Sequence, residues 1–63
     1  MNFYELTRGQ AFRFVERDQN NEVTYYSCGT DGAYGRYVES PDDMGDHKRW
    51  YYCRPLDAVE VVE

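Results

Sequence analysis

The sequence predicts an all-β fold: a small antiparallel meander of four or five strands, curled into a barrel, with at most one short helical turn. Apolar and polar residues alternate in several short segments, which is the period of half-buried strands. Clusters of Gly, Asn, Asp and Pro separate these segments, and no apolar stripe of period 3.6 lasts long enough for a helix. A chain of 63 residues forms one domain, so we expect residues 1–63 to be a single β-barrel domain.

The N-terminal part of the chain predicts a short lead and a first strand. Residues 1–9 indicate an extended lead that ends in a turn, where Gly9 accepts a backbone angle unfavourable for other residues. Residues 10–17 then alternate as a half-buried strand. This alternation predicts Phe12 and Phe14 as core residues.

The middle of the chain predicts two hairpins. The polar residues 18–21 are turn formers and should connect the first strand to a second strand at residues 22–28. Residues 29–33 contain an Asp-Gly pair, a strong hairpin signal, before a third strand at residues 34–39. Within that strand, Gly35 predicts a bulge or a close backbone approach.

One long acidic connection follows the third strand. Residues 40–48 predict a loop, within which a single helical turn could begin at Ser40 with Pro41 in its first position and end at Gly45. A last strand is predicted at residues 58–62, with its valines facing one way.

The stretch 48–54 between them holds the only Trp, two of the seven Tyr and one of the two Cys. Strand alternation divides these residues between two faces, and large aromatic surface on both faces predicts a central strand whose second face is partly covered or binds a partner. The two sets are Trp50, Tyr52 and Arg54 on one face, and Arg49, Tyr51 and Cys53 on the other.

Two terminal segments carry a resemblance to known proteins. Residues 6–15, LTRGQAFRFV, and residues 57–62, DAVEVV, resemble small β-barrels of uncharacterised phage and bacterial proteins. The pattern L-x-x-G-x-x-F-x-F is also similar to the opening of Src-homology-like and Tudor-like barrels. This resemblance covers about 16 of 63 residues and implies a fold and a phage origin, but no functional residues.

Composition restricts the class of partner. Twelve acidic and seven basic side chains give a net charge of −5, which argues against nucleic acid and favours attraction to basic protein surfaces. No apolar run approaches the about 20 residues of a membrane span, and no secretory signal is visible. We therefore expect no membrane partner and a location in the cytoplasm of an infected or host bacterial cell.

The residues capable of catalysis or metal binding favour no enzyme. Cys28 and Cys53 could be two reduced buried thiols, a disulfide, or part of a metal site with His47; the first interpretation is favoured because structural zinc needs four ligands. The Gly29-x-x-Gly32-x-x-Gly35 spacing indicates turns, because no helix follows to complete a phosphate site. We predict no catalytic residue, no metal and no cofactor.

The aromatic residues instead predict an interface. Seven tyrosines exceed what so small a core can bury, and exposed Tyr with Arg is typical of interface hot spots. Acidic residues of the long connection would steer association with a basic surface. The predicted partner-binding residues are Trp50, Tyr52, Tyr26, Tyr37, Arg49, Glu39, Asp42, Asp43 and Asp46.

The leading hypothesis is a non-enzymatic protein-binding module, a phage-encoded modulator or inhibitor of a host protein with a basic surface. A nuclease, a polymerase or a defence effector would fit that description. One alternative is a single-stranded nucleic-acid binder that uses the rings of Trp50 and Tyr52 with Arg49 and Arg54. Another is a self-assembling structural protein, in which the exposed aromatic face is buried in a homodimer.

Overall fold

The computed structural model describes residues 1–15 and 22–62 and contains a five-stranded antiparallel sheet. The predicted all-β meander is confirmed, and the described residues include no α-helix. The strand order is β4-β3-β2-β1-β5, so the last strand pairs with the first. The strands are β1 (Ala11–Phe14), β2 (Tyr25–Asp31), β3 (Tyr34–Val38), β4 (Tyr51–Cys53) and β5 (Val59–Val61).

The sheet curls but does not close into the predicted barrel. In the described parts of the chain, no strand pairing joins β4 to β5. The N-terminal segment lies across this gap, because the amide of Phe3 donates to the carbonyl of Asp57 at 2.9 Å and that of Tyr4 to the carbonyl of Pro55 at 3.0 Å. Our expectation of an extended lead is therefore wrong for Phe3–Glu5, which form a 3₁₀ turn that buries the Phe3 ring completely.

The core is a cluster of rings in edge-to-face contact. Phe12 lies 5.2 Å from Phe3 and 5.1 Å from Phe14, centroid to centroid. Tyr37 lies 5.1 Å from Phe14, and Val59 packs into the same cluster. The prediction that Phe12 and Phe14 are core residues is confirmed.

The β2–β3 hairpin forms where the Asp-Gly pair predicts it. Asp31 pairs with Tyr34, which leaves a two-residue loop whose first residue, Gly32, has a φ of 59°. The register shifts between Ser27 and Gly29, so the bulge lies on β2; at Gly35 the structure shows the other predicted alternative, a close approach, here by the Phe3 ring. β2 also begins three residues later than predicted, at Tyr25 instead of residue 22.

The connection between β3 and β4, residues 39–50, contains two 3₁₀ turns. The first spans Pro41–Gly45 after Ser40, whose hydroxyl accepts from the Asp42 amide at 3.3 Å, as the sequence predicts. The second spans His47–Arg49. The chain thus forms three 3₁₀ turns in its described parts, although the sequence predicts at most one helical turn.

The predicted aromatic strand at residues 48–54 is shorter than expected and lies at an edge. The Asp46 carboxylate accepts from the Lys48 amide at 3.1 Å, and this cap starts a 3₁₀ turn where we expected extended backbone. Only Tyr51–Cys53 pair, and they pair with β3 alone. The prediction of a central strand is therefore wrong.

The end of the predicted first strand at residues 16–17 and the turn at residues 18–21 lie outside the described residues. In the parts of the chain that the structure describes, no helix has the length and apolar character needed to cross a membrane.

Candidate functional site

The β3–β4 connection and the start of β4 form an open cleft of about 460 Å³, here called the acidic cleft. It lies where the connection folds back beside the sheet, so that residues distant in sequence meet. Its walls carry three carboxylates, two cations and two aromatic rings. The lining residues are Glu39, Asp43, Asp46, Lys48, Arg49, Trp50 and Tyr51.

Trp50 is a fixed, half-buried wall of this cleft. Its indole Nε1 donates to the carbonyl of Met44 at 3.0 Å, which ties the end of the connection to its first 3₁₀ turn. The His47 ring lies 4.2 Å from the Trp50 ring, and the Arg36 guanidinium lies 5.1 Å from its centroid. Trp50 therefore shapes the cleft and does not project freely as an anchor.

Tyr51 presents an oriented ring that is 46% exposed. The ring stacks on the buried Tyr37 at 5.6 Å with an interplanar angle of 26°. Its hydroxyl donates to Glu39 Oε1 at 2.8 Å. This hydrogen bond, together with the negative charge of Glu39, raises the pKa of Tyr51 above its ordinary value of 10.0, because ionising the phenol would place two anions side by side.

Arg49 partly neutralises the acids of the cleft. Its Nε lies 3.5 Å from Asp46 Oδ2 and 3.8 Å from Asp43 Oδ1. The guanidinium is largely exposed, so these ion pairs are weak and exchange easily with solvent. The cleft therefore already holds a cation beside two of its carboxylates.

The structure brings five of the nine predicted binding residues into the acidic cleft and leaves four outside its walls. Asp42 is exposed on the neighbouring 3₁₀ turn, and Tyr26 is half-buried on β2. Tyr37 is only 6% exposed because it faces Phe12 and Phe14 in the core, so its ring does not offer the surface that the predicted partner-binding role needs. Tyr52 lies on the opposite face of β4 from Tyr51, as strand alternation requires.

Sequence reasoning missed two residues of the cleft, Lys48 and Tyr51. Alternation does separate Tyr51 from Trp50 and Tyr52, but nothing in the sequence pairs it with Glu39, twelve residues earlier. That contact depends on the antiparallel register of β3 and β4.

A second cleft of about 640 Å³, here called the tyrosine cleft, lies at the other end of β4. Tyr34 and Tyr52 meet there with ring centroids 6.3 Å apart at 78°. One cation and one carboxylate belong to its walls. The lining residues are Ala33, Tyr34, Tyr52, Cys53, Arg54 and Asp57.

The two cysteines are buried free thiols, so they do not form the disulfide that the sequence left open. Burial raises the pKa of the Cys28 thiol, and the positive charges of Arg8 and Arg36 oppose that shift in part. His47 is exposed and packs on Trp50. Among residues 1–15 and 22–62, no group of three or more His, Cys, Asp or Glu is placed to hold a metal ion.

Comparison of the chain with protein-family models, with curated proteins and with solved structures gives no match. The relationship to phage, Src-homology-like or Tudor-like barrels stays a prediction from the sequence. The function has to be inferred from the clefts themselves.

Proposed function

We propose that this chain is a non-enzymatic protein-binding module that recognises a protein with a basic surface through the acidic cleft. One observation carries the proposal: three carboxylates, Glu39, Asp43 and Asp46, share a single open cleft with the rings of Trp50 and Tyr51. Cations bind best where a carboxylate and an aromatic face meet, because both attract positive charge.

A lysine or arginine side chain of the partner fits this chemistry. Its charged group would lie against the exposed ring of Tyr51, which stacking on Tyr37 holds in place. Glu39 is held beside that ring by the hydroxyl of Tyr51. Because both groups are already positioned, binding would cost little side-chain entropy.

Long-range charge supports the same partner class. The chain carries a net charge of −5, and the exposed Asp42 adds a fourth acid beside the cleft. Such a surface speeds the approach of a basic protein and slows the approach of an acidic one.

The biological role that we propose is modulation or inhibition of a host protein. A nuclease, a polymerase or a defence effector carries the required basic surface, since each binds phosphate-rich substrates. The resemblance to phage proteins supports a phage-encoded chain that acts in the cytoplasm of a bacterial cell.

Nucleic acid fits this cleft less well. The residues that the sequence predicts as a platform for stacked bases do not lie together. Arg49 lies beside Asp43 and Asp46 in the acidic cleft, whereas Tyr52 lies on the other face of β4 from Tyr51. Phosphates that approached the rings of the cleft would meet three carboxylates. We therefore use an oligonucleotide as the contrasting ligand.

A fluorescence titration tests the proposal, because Trp50 is the only tryptophan and lies in the cleft. The probes are a short Lys/Arg peptide, the same peptide with Glu in place of its cations, and a single-stranded oligonucleotide, each at low and at physiological salt. We expect saturable binding of the cationic peptide alone, weakened by salt. Tighter binding of the oligonucleotide than of the peptide would contradict the proposal.

A pair of matched variants separates the cleft from net charge. The triple variant Glu39→Gln, Asp43→Asn, Asp46→Asn should weaken peptide binding by about tenfold, since each exposed charge contributes about 0.2–1 kcal/mol. The control is Glu22→Gln, Asp31→Asn, Glu60→Gln, which removes the same charge from exposed positions outside the cleft. Equal weakening by both triple variants would show that only net charge matters and would contradict the cleft.

A further inference from the structure

We propose that the chain forms a weak two-fold homodimer through the tyrosine cleft. This surface is separate from the acidic cleft, and the proposal does not depend on the function assigned above. It rests on three properties of the surface: exposed rings, self-complementary charge and limited area.

The rings are unusually exposed for aromatic side chains in contact with each other. Tyr34 is 62% exposed and Tyr52 is 54% exposed, although they form an edge-to-face pair. The adjoining turn carries Leu56, which is 71% exposed. Tyr4, 52% exposed, is tied to this turn because its amide donates to the carbonyl of Pro55.

The charges of the cleft favour a second copy over other partners. Arg54 and Asp57 both line it, and the backbone amide of Arg54 donates to Asp57 Oδ2 at 3.0 Å, which ties the carboxylate to the backbone of Arg54. In a two-fold dimer that sets Arg54 of one copy against Asp57 of the other, symmetry sets Asp57 of the first copy against Arg54 of the second, so both charges are matched. A nucleic acid would meet the carboxylate of Asp57, and a basic surface would meet the guanidinium of Arg54.

The exposed apolar area in and beside the tyrosine cleft limits the strength of the dimer; this patch consists of Tyr4, Tyr34, Tyr52 and Leu56. A buried aromatic side chain removes about 150–250 Å² from water, so three half-exposed tyrosines and one leucine offer about 400 Å² per copy. Two copies would bury about 800 Å², below the about 1,200 Å² of a stable interface. We therefore expect dissociation in the micromolar range or weaker, and repulsion between two chains of charge −5 weakens it further at low salt.

Sedimentation equilibrium of the full chain over a wide concentration range tests the dimer. We expect reversible monomer–dimer association that strengthens as salt rises, because salt screens the repulsion between chains. A chain that stays monomeric at every concentration and salt level would overturn the proposal.

Two variants test the rings. Tyr34→Ser should lower the association constant by about tenfold, since it removes the most exposed of the rings that line the cleft. Val15→Ser, a change of another exposed apolar residue that follows β1, should leave association unchanged. Equal association of the wild type and Tyr34→Ser would overturn the proposal.

A charge exchange tests the two-fold arrangement. Arg54→Glu alone and Asp57→Lys alone should each weaken self-association, because like charges then face each other. A mixture of the two variants should restore association to at least the wild-type level, because every facing pair is again of opposite sign. A mixture that associates no better than either variant would overturn the arrangement. Circular dichroism checks the fold of each variant, and if Asp57→Lys does not fold, Arg54→Glu and Tyr34→Ser still decide the question.

Discussion

At the scale of the residue, the pair of Glu39 and Tyr51 connects the sheet to the acidic cleft. The antiparallel ladder pairs Tyr51 at the start of β4 with Tyr37 of β3, and Glu39 follows Tyr37 by two residues, within reach of the Tyr51 hydroxyl. The hydroxyl of Tyr51 donates to Glu39 Oε1, and the same ring stacks on Tyr37 of the core. A charged group of the cleft is thus positioned by the core itself.

The raised pKa of Tyr51 predicts how stability depends on pH. A group whose pKa is higher in the folded state stabilises the fold fully below its unfolded pKa, here about 10, and loses this contribution as pH rises through the folded value. In Glu39→Ala we expect Tyr51 to titrate at lower pH and the loss of stability above pH about 10 to be smaller. NMR of the tyrosine ring carbons measures the titration, and urea unfolding at several pH values measures stability.

The matched control for this prediction is Glu22→Ala, an exposed acid outside the acidic cleft. It should leave the titration of Tyr51 as in the wild type. An unchanged Tyr51 titration in Glu39→Ala would show that the hydrogen bond does not persist in solution.

At the scale of the element, the N-terminal 3₁₀ turn, Phe3–Glu5, covers the open side of the sheet and is here called the plug. Phe3 is completely buried and contacts Phe12 edge-on, while its amide is bonded to the turn before β5. β3 makes room for the plug at Gly35, where any side chain would meet the Phe3 ring and the sulfur of Cys53. A closed barrel would fill this gap by pairing β4 with β5. In the described parts of this chain those strands do not pair, and the buried ring of Phe3 fills the gap instead.

Gly35→Ala should therefore destabilise the protein. A Cβ at this position would lie 2.5 Å from Phe3 Cε1 and 2.8 Å from Cys53 Sγ, so the plug or the edge strand would have to shift. We expect the free energy of unfolding to fall by about 1–3 kcal/mol, the usual cost of overpacking. Urea denaturation followed by Trp50 fluorescence measures it.

Gly45→Ala is the matched control, because a Cβ there meets nothing within 4 Å. Its free energy of unfolding should stay within about 0.5 kcal/mol of the wild type. If the two variants were equally stable, the close approach of Phe3 to β3 would be refuted.

At the scale of the whole molecule, three of the four exposed tyrosines lie in two clefts at opposite ends of β4. The acidic cleft holds Trp50 and Tyr51 among carboxylates, and the tyrosine cleft holds Tyr34 and Tyr52 beside a balanced pair of charges. Under the two proposals, one edge strand would serve two kinds of contact: a basic protein at one end and a second copy at the other.

Arg49 provides a test at this scale, because it lies beside Asp43 and Asp46 and in the proposed complex would compete with the partner's cation for them. Arg49→Gln should tighten binding of the cationic peptide by about twofold to fivefold, since the freed carboxylates gain about what an exposed ion pair is worth. Titration of Trp50 fluorescence measures the change. Weaker binding would instead mean that Arg49 contacts the ligand, as the sequence alone suggested.

Lys48→Gln is the control for Arg49, because it makes the same change of net charge within the same cleft. It should tighten binding less than Arg49→Gln does, since only Arg49 is seen beside the acids in the described residues. If both variants tightened peptide binding equally, the change in net charge alone would explain the effect, and the position of Arg49 beside the acids would not matter.

Local signals in the sequence determined much of the fold. Alternation identified Phe12 and Phe14 as core residues, the Asp-Gly pair located the β2–β3 hairpin, and Ser40-Pro41 marked the start of a 3₁₀ turn. These features depend on near neighbours in the chain, so a window of a few residues contains their cause. The sequence also predicted that the core cannot bury all seven tyrosines, and four of the seven are exposed in the structure.

Only the tertiary structure decided which rings are buried and how the clefts are composed. Tyr37 and Tyr51 pair across two strands with identical propensities, yet one lies in the core and the other is 46% exposed, because β4 is an edge and β3 is not. The plug of Phe3 against Gly35 and the contact of Tyr51 with Glu39 likewise join residues far apart in the chain. The order of the strands and the register of β4 against β3 set these contacts, and the long connection between those two strands fixes neither of them, unlike the tight β2–β3 turn.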